Sequence, residues 1–305
     1  MQTKEFNPNG IIPDNGNYFG MPLTPDEAAL VLISAPWDAT TARRNGSSYA
    51  PDAIIEASRK IDFYEPSAPY SWRKGIATLP IDYSIQDLSH RLRSDAQRVV
   101  KVYEEMGLEG LDNIIYSRRL RHVNEGSLAV NENIYRQSQE WLSRGKIVGL
   151  VGGDQSSAFG LMRAVSEKYD GVGILHIDSK SDLKEAYQGF ELAHASVMHN
   201  VLRDLVGVSR VVAVGVREFS PAEWERAESD ERIKFFDDPK YPDAYVLGLK
   251  GMDYLTYYPE DELAMPAYEC LKQSVEGMGE NAQITVLRKL VEVSYNIYKS
   301  NPDQY

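Results

Sequence analysis

Short runs of consecutive apolar residues alternate along the chain with segments whose apolar residues recur at helical spacing. The runs at 30–35, 147–151 and 171–177 are continuous, β-branched or aliphatic, and closed by Gly, Pro or Asp. Such runs are typical of the central strands of a parallel sheet. Between the last two runs, the apolar residues have helical spacing: Phe159, Leu161, Met162 and Val165. This part of the chain is therefore predicted to be a strand–helix–strand unit.

The same alternation continues on both sides of this unit. Further strands are predicted at 76–81, 210–216, 233–236 and 245–249. Helices are predicted at 51–60, 88–106, 128–142, 195–205, after Ser220, and at 282–298. Residues 108–126 are predicted to be irregular, and 1–28 to be an N-terminal surface arm. We predict a three-layer α/β/α fold with a mainly parallel sheet, built as one domain over 1–305 with a divergent C-terminal part at 237–305.

Composition limits the classes of binding partner and the cellular compartment that are expected for this chain. A net charge of −12 argues against nucleic acid or an anionic membrane as partner, while a small cationic ligand is compatible with it. No apolar run approaches the roughly 20 residues of a membrane span, and the N-terminus lacks an apolar signal segment. A single cysteine, Cys270, cannot form an intrachain disulfide. We therefore expect a cytoplasmic protein.

Acidic residues follow two of the predicted central strands. Asp154 comes after Gly152 and Gly153, and Asp178 and Asp182 follow the run at 171–177. Because the loops at the carboxyl ends of parallel strands build ligand sites, these carboxylates lie where chemistry is expected. Carboxylates suit hard or borderline divalent metals. A turn plus a helix cap is the more common explanation of the D-x-x-x-D spacing, and Asp154 is a natural helix N-cap.

The histidines and the basic run allow two interpretations each. His176 lies inside a predicted strand, where a packed core histidine is the simpler interpretation than a metal ligand. His194 begins a helix after a loop, which suits either a proton shuttle or an ordinary cap. The run RRLRH at 118–122 fits a solvated basic face better than an anion site. The dinucleotide fingerprint G-x-G-x-x-G and the nucleophile motif G-x-S-x-G are absent.

Several motifs, taken in order, resemble a known family. They are GGDQS at 152–156, HIDSKSD at 176–182, HASVMHN at 194–200 and GVREFSPAE at 215–223, with an earlier loop and helix at 45–58. Together they are similar to the ureohydrolases, which include arginase, agmatinase, guanidinohydrolases and formimidoylglutamase. The resemblance covers roughly residues 28–236. It implies an arginase-like fold and an oligomer, commonly a trimer or hexamer.

The resemblance also implies a metal centre, from which this chain departs. Family members hold two manganese or nickel ions through six side chains and attack a guanidinium or amidine carbon. Asp178 and Asp182 match ligand positions, and His194 matches a proton-shuttle position. Gln155 and Lys180 stand where the family has histidines. In the region of the later aspartate motif, Asp253 alone is a candidate.

A lysine is a poor replacement for a metal-binding histidine, because an ammonium has no free lone pair and repels a cation. We predict that Lys180 pairs with Asp178 and Asp182 in part of the metal space. The favoured function is non-catalytic, with no cofactor: self-assembly, assembly with an active relative, or binding of a small cationic ligand.

Two alternatives remain open. One is a hydrolase of a guanidino or amidino C–N bond, with a site rebuilt from Asp154, Asp178, Asp182, His194 and perhaps Asp253 around Mn or Ni. The other is a shortened copy of a longer enzyme without a function of its own.

Overall fold

The computed structural model describes residues 6–8, 10–41, 45–64, 68–236 and Lys272. The chain divides into two compact units. The first unit comprises 1–173 and 182–209, and the second comprises 174–181 and 210–305. Each unit is described separately below, and the prediction of a single domain stays a prediction.

The first unit contains a three-stranded parallel sheet. Its strands are β1 (Leu30–Ser34), β2 (Ile76–Thr78) and β3 (Ile147–Val151), in the order β2–β1–β3. The central strand pairs with both neighbours in a register that aligns Leu30 with Ile76 and with Ile147. Val31 and Ile33 are fully buried, as expected for a strand that runs through the middle of a sheet. The strand positions predicted from the apolar runs are confirmed.

The described residues of the first unit form five α-helices. They are α1 (Ala50–Ser58), α2 (Tyr83–Leu111), α3 (Ile114–Ser143), α4 (Phe159–Lys168) and α5 (Val197–Asp204). Pro51 occupies the first turn of α1, where its missing N–H costs no hydrogen bond. The largest core cluster centres on Trp37, Leu92, Val99 and Ile134, so it joins the loop after β1 to α2 and α3.

The prediction of an irregular segment at 108–126 is wrong. Asn113 caps α3 by accepting a hydrogen bond from the Ile115 N–H at 2.9 Å, and the helix then runs without interruption to Ser143. Gly126, which weakened the helical pattern, allows α2 and α3 to approach closely. A Cβ at that position would lie 2.2 Å from Leu92 Cδ1. Tertiary packing therefore decides the conformation of this segment, against a weak local signal.

The second sheet is formed by β4 (Val172–Ile177), β5 (Val208–Val214) and β6 (Ile233–Phe236), in that order. β5 and β6 are parallel, with Val211 aligned to Ile233. Between them, α6 (Pro221–Ser229) begins with a capping box, in which the backbone N–H of Ser220 donates to Glu223 Oε2 at 2.8 Å. Parallel strands connected by helices confirm the predicted α/β class.

The remaining predictions concern the N-terminal arm, the C-terminal part and membrane spans. Within the stretch predicted as a surface arm, the side chains of Tyr18 and Met21 are buried, and Tyr18 Oη lies 2.8 Å from Ser34 Oγ. The strand predicted at 245–249, the helix predicted at 282–298 and Asp253 lie outside the described residues. Over the described part of the chain, no helix combines the length and apolarity that crossing a bilayer requires.

Candidate functional site

The residues that follow β4 form a tight turn rather than an open loop. The Asp178 N–H donates to the Val214 carbonyl at 3.1 Å, which holds the start of the turn against β5. Asp178 Oδ1 then accepts a hydrogen bond from the Lys180 N–H at 3.0 Å. The N–H groups of Arg217 and Glu218 both donate to the Ser179 carbonyl, at 2.8 and 3.0 Å. The turn predicted from the D-x-x-x-D spacing is therefore present.

Ser181 fixes the other end of the turn. Its hydroxyl donates to Glu223 Oε1 at 2.6 Å, and both residues are buried. The same glutamate closes the capping box of α6, so one carboxylate serves the helix start and the turn. Protein hydrogen bonds thus hold both ends of the turn from Asp178 to Ser181.

Within the continuous stretch from His176 to Asp182, three side chains offer potential metal-ligand atoms. One atom each from His176, Asp178 and Asp182 lies within 4.8 Å of the others. His176 is buried on β4, as predicted for a core histidine. Asp182 is fully buried and has φ of +52°, a left-handed conformation that is uncommon outside glycine. Its carbonyl accepts hydrogen bonds from the N–H groups of Met198 and His199.

Lys180 lies beside Glu218. Its Nζ is 3.8 Å from Glu218 Oε2, and both side chains are at least half exposed. The N–H groups of Arg217 and Glu218, which donate to the Ser179 carbonyl, bring the Glu218 carboxylate beside the lysine. The predicted pairing of Lys180 with Asp178 and Asp182 stays a prediction.

The loop after β3 requires its two glycines. Gly152 and Gly153 have φ of +91° and +71°. A Cβ on Gly152 would lie 2.4 Å from Pro51 Cγ, and one on Gly153 would lie 2.6 Å from the Ala35 carbonyl oxygen. The GGDQS motif therefore packs against the loop after β1 and the start of α1. Gln155, at the position where the resemblance implies a histidine, begins a short 3-10 helix and is exposed.

Asp154 caps that short helix, as the sequence predicts. Its Oδ1 accepts hydrogen bonds from the N–H of Ser156 at 2.9 Å and from the Ser156 hydroxyl. Its buried Oδ2 has no hydrogen-bond partner among the described residues. Burial raises the pKa of Asp154 to about 6, against the lowering effect of the Ser156 hydrogen bonds. This carboxyl group is a helix cap with one unsatisfied oxygen.

A second buried network, which sequence reasoning missed, surrounds Asp38. Asp38 Oδ2 accepts hydrogen bonds from the N–H groups of Gly46 at 2.7 Å and Ser48 at 3.3 Å, and Oδ1 accepts one from Ser89 Oγ at 3.0 Å. Burial by itself raises the pKa of Asp38, but the hydrogen bonds from Gly46, Ser48 and Ser89 together outweigh it and lower the pKa.

Arg93 completes this network from α2. Its Nη1 donates to the carbonyls of Asp38 and Ala39 at 3.2 and 3.3 Å, and to the carbonyl and hydroxyl of Thr41. Burial lowers the pKa of Arg93, while the charges of Asp38 and Asp154 raise it. The sequence did carry one signal of this network: two polar residues, Ser89 and Arg93, lie four positions apart within an otherwise apolar helix face.

His194 begins a 3-10 helix, His194–Ser196, as the sequence predicts. Its ring packs edge-on against Tyr187, with centroids 5.1 Å apart. The following hydroxyl, Ser196 Oγ, donates to the Glu191 carbonyl at 2.7 Å, which closes the loop before the helix. His194 is partly exposed as a residue, while its ring Nδ1 is buried.

The family assignment follows from comparison with known proteins. The model of the arginase family matches residues 28–245 of this chain. The chain belongs to the arginase family. The match begins where the resemblance in the motifs begins, and it includes every motif named above, so the predicted family is confirmed.

The sequence identity between this chain and individual relatives is low. The chain is 24% identical over 210 residues to an agmatinase of Bacillus anthracis, which covers 67% of this chain and 57% of that protein. It is 26% identical over 200 residues to an N(1)-aminopropylagmatine ureohydrolase of Thermus thermophilus, covering 65% and 55%. The chain thus spans somewhat more than half the length of the curated relatives that it matches.

The fold has a counterpart among solved structures. The crystal structure of an agmatine ureohydrolase of Thermoplasma volcanium aligns over 95% of this chain and 98% of that chain, with a TM-score of 0.50 and 18% sequence identity. A likeness at this identity concerns the fold alone. It confirms the predicted arginase-like α/β architecture.

The described motifs offer a limited set of metal-ligand groups. Gln155 carries a neutral amide and is exposed, and the Lys180 ammonium carries a positive charge beside the turn. Within the stretch 176–182 the potential ligands are one imidazole and two carboxylates. That donor set suits a single hard or borderline cation.

Proposed function

We propose that this arginase-family chain acts without catalysis. In this proposal its binuclear metal site has degenerated, and it assembles with itself, as a trimer or hexamer, or with an active relative in the cytoplasm. An acidic cleft that binds a small cationic ligand is the third role that fits. The net charge of −12 favours cations over anions.

One observation supports the proposal most directly. The turn that would present family metal ligands carries the Lys180 ammonium, paired with Glu218 at 3.8 Å, and is fixed by hydrogen bonds to Val214, Arg217, Glu218 and Glu223. A turn that protein groups hold in shape has no structural need of a metal ion. The fixed positive charge also opposes cation binding, by Coulomb repulsion.

The first test is metal content. The full chain is expressed with added manganese and nickel, freed of loose ions, and analysed by mass spectrometry. We expect well below 0.1 equivalent of metal, and no urea, ammonia or formamide from arginine, agmatine, guanidine or formiminoglutamate (roughly the level of an apo control). One or two equivalents, lost in Asp178→Asn but kept in the exposed control Asp170→Asn, contradict the proposal.

A reconstruction sharpens this test. Gln155→His combined with Lys180→His restores two family ligand types and removes the positive charge. We expect this double variant to gain metal that the parent chain lacks, because imidazole ligates borderline cations where an ammonium cannot. Lys180→Met, which removes only the charge, is the matched control and separates repulsion from lost ligation.

A second candidate function is supported by the three potential ligands within 4.8 Å. Here the chain is a hydrolase of a guanidino or amidino C–N bond with a single-ion site. His176, Asp178 and Asp182 would hold the manganese or nickel ion, which would supply Lewis-acid chemistry. His194 would carry a proton to or from the substrate.

The two candidates differ in what His176 does. If His176 is a ligand, His176→Gln removes bound metal and leaves the unfolding midpoint nearly unchanged in the metal-free protein. If it is a core histidine, the same variant has no metal to lose. Metal binding measured by calorimetry on parent and variant therefore decides between them without relying on activity.

A further inference from the structure

The junction of α2 and α3 exposes a group of apolar side chains. Met106 and Leu108 at the end of α2, and Ile114 and Ile115 at the start of α3, are each between 58% and 80% exposed. Gly107 interrupts α2 with φ of +65° and ψ of −155°, a conformation that belongs to glycine. We call these four residues, with the charged residues of 104–122 around them, the hairpin tip.

The hairpin tip is divided by charge. On the α2 side the exposed acidic residues are Glu104, Glu105, Glu109 and Asp112, of which Glu105 lies 3.9 Å from Lys101 Nζ. On the α3 side the exposed arginines are Arg118 and Arg121. Arg119 and His122 are left out of this basic set because both pair with Asp95 inside the hairpin. An acidic half and a basic half therefore lie side by side around one apolar centre.

The basic half also has a concave shape. An open recess of about 760 Å³ is lined by two isoleucines, by Arg118, Arg119, Arg121 and His122, and by the carboxylates of Asp95 and Glu125, so its three arginines outnumber its two acidic groups. Apolar side chains at its rim and guanidinium groups in its wall suit an apolar group flanked by carboxylates. The acidic half of the tip presents that combination, with Met106 and Leu108 between Glu105 and Glu109.

From this complementarity we infer that the hairpin tip is a docking surface for a second copy of the chain. A two-fold axis through the tip sets the acidic half of each copy against the basic recess of the other. Such an interface is isologous, so each contact occurs twice. Apolar side chains at the centre and charges at the rim are the usual anatomy of a specific interface. The inference rests on the self-assembly part of the proposed function and names its surface; a two-fold contact of this kind fits the hexamer named there and not the trimer.

The test uses charge reversal with rescue on the full chain. Arg118→Glu with Arg121→Glu reverses the basic half, and Glu105→Lys with Glu109→Lys reverses the acidic half. Each double variant alone places like charges in both contacts of the dimer. We expect each to have half the parent's molar mass, or less, by light scattering at a concentration where the parent is associated.

Mixing the two double variants is the decisive step. In the mixed dimer, the native Glu105 and Glu109 of the first variant face the native Arg118 and Arg121 of the second. The lysines introduced in the second variant face the glutamates introduced in the first. Both contacts regain opposite charges, so the parent mass returns in the mixture. The matched control is Arg91→Glu with Arg136→Glu, two exposed arginines on the same helices distant from the tip, which keeps the parent mass.

Three results overturn the inference. They are a parent chain that is monomeric at 100 times the protein concentration of the first measurement, double variants that keep the parent mass, and variants that lose it without recovery on mixing. The last would show that the acidic half of one copy does not contact the basic recess of the other. Circular dichroism of each variant confirms folding. Metal content measured on the same samples separates failure of this surface from failure of the non-catalytic proposal.

Discussion

Asp38 and Asp178 both follow a parallel strand, yet their surroundings differ. Asp38 is buried and its two carboxylate oxygens accept hydrogen bonds from Gly46, Ser48 and Ser89, with Arg93 bound to the adjoining carbonyls. Asp178 is partly exposed, lies in a tight turn and is followed by a lysine that pairs with Glu218. The first network shapes the loop after β1, whereas the second lies where the family places metal ligands.

The difference shows which parts of a family fold are costly to change. A buried carboxylate needs all its hydrogen-bond donors, because an unsatisfied charged group away from water is strongly destabilising. A partly exposed turn can exchange a histidine for a lysine at small cost in stability, because water and a surface carboxylate stabilise the ammonium. Loss of metal ligands therefore need not damage the fold, and the following predictions test that contrast.

The largest expected effect is at Arg93. Arg93→Leu removes the hydrogen bonds to the carbonyls of Asp38, Ala39 and Thr41 and the positive charge near Asp38 and Asp154. We expect the free energy of unfolding to fall by about 3–5 kcal/mol, as when one partner of a buried charge network is removed. Urea unfolding measures this. The exposed control Arg98→Leu, on the same helix, should change it by less than about 0.5 kcal/mol.

Asp154 should give an intermediate effect that depends on pH. Its pKa in the folded protein is raised to about 6, above the ordinary value of 3.8, so the folded state holds the proton more tightly than the unfolded chain. The stability it contributes is present at acid pH and is lost as the pH rises from about 4 through 6. Asp154→Asn removes that dependence.

We expect the difference in unfolding free energy between parent and Asp154→Asn to change by about 2–3 kcal/mol between pH 4.5 and pH 7.5. The asparagine variant gains relative stability at the higher pH. Urea unfolding at the two pH values measures this, with the exposed Asp87→Asn as control. A parent–variant difference that stays constant across this range contradicts the assignment of a raised pKa.

The smallest expected effect is at the Lys180–Glu218 pair. The two side chains are 50% and 64% exposed and their charged atoms lie 3.8 Å apart. Because solvent and salt screen such a pair, Lys180→Met should change the free energy of unfolding by less than about 0.5 kcal/mol. A loss above 2 kcal/mol would show that the turn depends on the lysine and would weaken the contrast with Arg93.

The sequence by itself determined the strand positions, the α/β class and the family, because continuous apolar runs, helix caps and glycine-rich turns are local signals. It identified Asp154 as a helix cap and the D-x-x-x-D stretch as a turn for the same reason. Only the tertiary structure decided that 114–127 is helical, since close packing at Gly126 outweighs a weak local preference. It also decided that Arg93 supports the loop after β1 and that Lys180 pairs with Glu218, because these contacts join residues at least 38 positions apart in the chain.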